Sequence, residues 1–176
     1  MSKKEQPPKI SIQELAKVAK TVTLKEGGHA PTVFAHGEKQ HIAVKIDYLP
    51  ETHDERAQQM FLMGLQLAQQ ADIGVLQQVF FISEGWMSVA DKGQLPQQLP
   101  SKDPKRKEIL QVTGIDLTLG KQEMIIFEMK RNQRDNVKAV QKIQEYMSDD
   151  KEKSFDAPLL QSFVIGFLGL GSTPND

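Results

Sequence analysis

Between Glu108 and Arg131 the chain holds two strand-length apolar runs separated by little more than a turn. This arrangement limits what the chain can fold into. Glu108–Leu119 and Glu123–Arg131 read as adjacent antiparallel strands joined through Gly120, Lys121 and Gln122. Strand signals also recur upstream. Pro31–Tyr48 reads as a hairpin, with Val33 and Phe34 on one arm and Ile42, Val44 and Ile46 alternating on the other. Its turn falls within His36–His41. Leu76–Ile82 reads as a central strand, because Val79, Phe80, Phe81 and Ile82 run together. Its continuation through Ser83–Met87 allows a bulge at Gly85.

Helical signals lie between these strands. Ser11-Ile-Gln-Glu14 and Thr52-His-Asp-Glu55 are capping boxes, each able to satisfy free backbone N–H groups at a helix start. The first opens a helix over 11–25 with Ile12, Leu15, Val18, Ala19 and Val22 on one stripe, ended by Gly27-Gly28. The second opens a helix over 52–71 along Ala57, Met60, Phe61, Gly64, Leu65 and Ala68. Asn136–Met147, with Val137, Val140, Ile143 (or Gln144) and Met147 on one side, reads as a third helix. Pro158–Leu168 reads as a fourth, with a strand as its alternative. The expected fold class is α+β, a mainly antiparallel sheet of about five strands with packed helices.

The 176 residues fit a single domain over 11–171, between a flexible tail at 1–10 and a short one at 172–176. A Pro-rich loop spans 91–106, and loops of that length are often functional. The 39% hydrophobic and 26% charged composition is that of a globular protein able to bury its own core. A net charge of −1 excludes a general polyanion binder. With no cysteine, thiolate metal sites, disulfides and Cys nucleophiles are excluded. Met1–Lys9 has no apolar h-region, and the longest apolar run, Phe163–Leu170, falls short of the ~20 residues needed to span a bilayer. These features point to a cytoplasmic protein with no membrane partner.

Several residues are candidates for chemistry. His29, His36 and His41 crowd into one segment. His36 and His41 flank the hairpin turn and can face each other as a cross-strand pair, which with Asp47 or His29 would ligate zinc or another transition metal. The alternative is two histidines at an exposed hairpin tip. Glu84-Gly85-Trp86 ends the central strand; Trp86 reads better as a core or rim aromatic and Glu84 as a solvated carboxylate. Gly169-Leu170-Gly171-Ser172 is no phosphate loop, because no helix follows it. The serines carry no nucleophile-elbow motif.

Asp116, on the first of the two strands, is followed by Glu128-Met129-Lys130 on the second. This order resembles the PD-(D/E)xK core of restriction-endonuclease-like nucleases, over roughly half the chain. The run Val140-Gln141-Lys142-Ile143-Gln144 resembles the helix that follows the Glu-x-Lys strand there. The resemblance implies that Asp116 and Glu128 hold Mg²⁺ and that Lys130 positions the attacking water. Lys130, Arg131, Arg134, Lys138 and Lys142 would then neutralise phosphates beside the site. Strand parity decides the matter. A three-residue loop places Asp116 opposite Ile126 and puts Asp116, Thr118, Glu128 and Lys130 on one face, whereas a two-residue turn at Gly120-Lys121 separates them. Burial of Leu117, Leu119, Ile125, Phe127 and Met129 together favours the first. The same residues also read as ordinary solvation of a half-exposed hairpin, and that reading is preferred.

The sequence therefore favours a non-catalytic domain that binds a protein partner or self-associates, without a cofactor. The alternative is a Mg²⁺-dependent nuclease using Asp116, Glu128 and Lys130, with nucleic acid as partner. A histidine metal site at His36 and His41 is the third reading.

Overall fold

The computed structural model describes residues 7–88, 99–148 and 157–169. Its elements in chain order are α1 (Ile12–Glu26), β1 (Thr32–Gly37), β2 (His41–Lys45), α2 (His53–Gln70), β3 (Leu76–Met87), a 3₁₀ turn (Pro100–Lys102), β4 (Lys107–Asp116), β5 (Lys121–Arg131), β6 (Val137–Ser148) and α3 (Pro158–Leu168). The strands form one antiparallel sheet in the order β2-β1-β3-β4-β5-β6, six strands where about five were expected.

Both capping boxes open helices. The Ser11 side chain accepts from the Glu14 N–H, and that of Thr52 accepts from the Glu55 N–H. Gly27 closes α1 at φ 80°, in the left-handed region where a Cβ would be strained. Helix α3 forms as expected and ends on Gly169.

The sheet carries a core on each face. On one, α1 lays Ile12, Leu15, Ala16 and Ala19 against Phe80, Ile82, Leu110, Val112, Ile125, Phe127 and Met129. On the other, α2 and α3 cover Val33, Ala35, Val79 and Phe81 with Met60, Leu67, Leu160 and Phe163. The two covering helices touch at backbone level. A Cβ on Gly64 would stand 2.1 Å from the Phe163 carbonyl oxygen, and one on Gly166 would stand 2.0 Å from that of Phe61.

Residues 136–147, expected as a helix, form strand β6. The preceding turn explains this. The Asn132 side chain accepts from the Arg134 and Asn136 N–H groups, and Asp135 sits at φ 63°. This closes a tight hairpin and lays β6 along β5, whose unpaired edge offers a ladder of backbone partners. The pattern Val137, Val140, Ile143, Met147 suits a helix, but two bulges, leaving out Lys138 and Ile143, let it run as an irregular strand. No bulge occurs at Gly85, which stays in register opposite Ile109. The expected tail is tied down at its end, since Lys9 and Ile10 hydrogen-bond to the sheet. Residues 91–98 of the Pro-rich loop, the charged segment 149–153 and the tail 172–176 lie outside the described residues.

Candidate functional site

Asp116 and Glu128 do not meet. The β4–β5 connection is four residues, Leu117–Gly120, and Asp116 stands opposite Lys121 instead of Ile126. That slip of five residues is odd, so it reverses parity. Asp116 lies on the α1 face with Ile125, Phe127 and Met129. Glu128 lies on the opposite face, as Ile109 opposite it does. Seven residues of β4 separate Asp116 from Ile109, about 23 Å at ~3.3 Å per residue. Glu128 pairs with Lys107 at 3.2 Å, and Lys130 is exposed on the Glu128 face. One metal ion cannot be shared by the two carboxylates.

The turn itself decided the parity. The Asp116 carboxylate accepts from the N–H groups of Thr118 and Leu119, at 2.9 and 3.0 Å, and from the Thr118 hydroxyl at 2.6 Å. Gly120 then takes φ 63°. These bonds make an Asx turn, and Asp at the start with Gly four residues on was its readable signal. Burial does not impose the other register, because Leu117 and Leu119 stay outside. Ile125, Phe127 and Met129 find their partners in Leu110 and Val112 instead.

What the structure does bring together is a polar row across the sheet. His41 faces His36, His36 faces Gln78, Gln78 faces Asp116 and Asp116 faces Lys121. Residues opposite one another on antiparallel strands share a face, so this row crosses β2, β1, β3, β4 and β5 on the α1 side. The segment before α1 closes over it. The Lys9 ammonium donates to Asp116 Oδ2 at 3.1 Å and to the Thr118 hydroxyl. The Gln78 amide donates to the Ile10 carbonyl and to Asp116 Oδ2, both at 3.2 Å, and its Oε1 accepts from the Ile10 N–H at 2.9 Å. None of Lys9, Gln78 and Thr118 was singled out from the sequence as part of a site. Their assembly needs β3, the β4–β5 turn and a chain start distant in sequence.

Burial pushes the Asp116 carboxyl up. The Thr118, Lys9 and Leu119 hydrogen bonds outweigh it and hold the group below its ordinary value. Asp116 is therefore a buried anion with its lone pairs engaged, serving the turn and the N-terminal segment.

His36 is different. It is fully buried, and neither ring nitrogen meets a hydrogen-bond partner among the described residues. Its ring stacks beside that of His41, with centroids 6.2 Å apart and planes inclined by 27°. Burial, then His41, then Lys9 lower its pKa, and Asp116 opposes them. His36 is thus held as neutral imidazole. His29 stands at the other end of β1; its N–H donates to Glu84 Oε1 and its Nδ1 lies 2.7 Å from the Ala30 carbonyl.

The basic stretch read from 130–142 is dispersed. Arg131 grips Glu108 through two nitrogens at 2.6 and 2.8 Å and donates to the carbonyls of Gly27 and Asp135. It joins the end of α1 to β4 and the β5–β6 turn. Lys138 and Lys142 lie on β6. Trp86 is a rim aromatic under the Arg106 guanidinium, 4.3 Å from its centroid.

No helix among the described residues is long and apolar enough to cross a membrane. A family model described as Bacteriophage lambda protein ea47 matches residues 1–164. No curated protein and no solved structure matches the chain.

Proposed function

The chain belongs to the Bacteriophage lambda protein ea47 family, and from that premise we propose that it is a non-catalytic cytoplasmic protein that pairs with a second copy of itself along β6. One observation carries this reading. β6 is a twelve-residue strand at the end of the sheet, with no described strand on its outer side. An edge of that length is a template for another strand. It also exposes Ile143, Tyr146 and Met147 at 39, 40 and 58%.

Charge supports a second copy as the occupant. Lys138 and Lys142 lie in the first part of β6, Glu145 lies beyond them, and Asp149 and Asp150 follow in the sequence. Two copies pairing antiparallel about a two-fold axis set the basic part of each against the acidic part of the other. Lys138 and Ile143 are the two residues that the bulges leave out of the β5 ladder. Each cross-strand contact occurs twice in the dimer.

The test is solution mass by light scattering across a dilution series. Wild type is expected to be a dimer at high micromolar concentration. Lys138→Glu should weaken it roughly tenfold, since two modest ion pairs become two repulsions. Lys138→Gln, which removes the charge without reversing it, should weaken it less. A monomer at every concentration, or a dimer indifferent to both changes, overturns the proposal.

A further inference from the structure

We propose that His36 and His41 bind a divalent transition-metal ion of the zinc, nickel and copper class, one imidazole nitrogen from each. The hairpin geometry favours it. The Gly37 N–H donates to the Gln40 carbonyl at 3.0 Å, which closes the two-residue turn. His36 and His41 therefore occupy the next, non-hydrogen-bonded pair, where cross-strand side chains approach most closely.

The spacing can be checked against coordination chemistry. A metal–nitrogen bond of about 2.1 Å, plus about 1.1 Å from nitrogen to ring centre, places two bridged ring centres about 5.2 Å apart at a tetrahedral angle and about 6.4 Å apart in a line. The observed 6.2 Å lies inside that span. Closing to the tetrahedral value takes about 1 Å of side-chain movement, and the exposed His41 is free to make it.

The chemistry points the same way. A buried imidazole with both nitrogens unpartnered is costly, and a ligand on one nitrogen removes part of that cost. The Lys9 charge nearby is offset by Asp116, 3.1 Å from it. Among the described residues no group of three or more His, Cys, Asp or Glu is placed around one ion, so water fills the remaining positions. Two imidazoles select borderline transition metals over Mg²⁺ or Ca²⁺.

The experiment titrates Ni²⁺ and Zn²⁺ into chelator-stripped full-length protein by calorimetry, with melting temperature as a second readout and Mg²⁺ as the hard-ion comparison. One ion per chain is expected, with a raised melting temperature and no response to Mg²⁺. His41→Gln changes an exposed side chain and should fold normally while weakening binding by about tenfold or more, as the loss of a direct ligand costs at least as much as the loss of a supporting one. His53→Gln, on α2, should leave binding unchanged. Absence of Ni²⁺ and Zn²⁺ binding in wild type overturns the proposal, as does undiminished binding in His41→Gln.

Discussion

Alanine at position 64 should destabilise the protein, although alanine is the better helix former. The added Cβ would stand 2.1 Å from the Phe163 carbonyl oxygen and 2.9 Å from the Phe167 nitrogen. An ordinary carbon–oxygen contact is about 3.2 Å or more, so the helices must part by about 1 Å. Both obstacles are backbone atoms, so no side chain can rotate aside. Separating α2 from α3 loosens Met60 against Leu160 and Phe163, in the core they share with β1 and β3. Overpacking costs up to about 3 kcal/mol. Helix propensity returns about 1 kcal/mol, leaving about 2 kcal/mol. For a chain of this size that is a melting-temperature loss of about 4–8 °C. Gly166→Ala meets the Phe61 carbonyl in the same way and should cost a similar amount. The double variant should cost less than the sum, because one movement relieves both clashes. Thermal and urea unfolding followed by far-UV circular dichroism measures all three. A Gly64→Ala protein as stable as wild type would refute the close crossing of these helices.

Two further predictions concern the polar row. Asp116→Ala should cost about 2–4 kcal/mol near neutral pH, because it strips the turn and Lys9 of their acceptor. The folded pKa of Asp116 is depressed, so its stabilisation is complete above the ordinary carboxylate value and is lost as pH falls through the folded one. Unfolding curves of wild type and variant should accordingly converge in acid; a gap that persists there would assign the loss to packing. His36 also has a depressed folded pKa, so its neutral form supports folding above about pH 6.5, its unfolded value, and that support fades as pH drops towards the folded value. Wild type should therefore lose stability between neutral and mildly acidic pH, and His36→Gln should flatten that slope; an unchanged slope in the variant would refute it.

Much of the fold was legible because its signals are local. Ser11 and Thr52 cap the helices they open, Gly27 ends the first, and His36 faces His41 across a two-residue turn. Each depends on neighbours a few residues away, whose chemistry is read directly from the chain. Elsewhere the local signal was ambiguous. Val137–Met147 carries apolar residues at helical spacing, yet a turn built by Asn132 and Asp135 handed it to the free edge of β5. The Asn-rich turn was present to be read, but the competing periodicity was stronger.

The chain by itself determined the α+β class, the caps, the histidine pair and the absence of thiol chemistry, since each follows from residue type and short-range spacing. Only the tertiary structure decided which polar residues meet. A single extra loop residue sends Asp116 to one face and Glu128 to the other, and five separate segments bring His41, His36, Gln78, Asp116 and Lys9 together. Side chains alternate along a strand, so the register of a ladder fixes every face at once, and register is set by contacts that no short stretch of sequence contains.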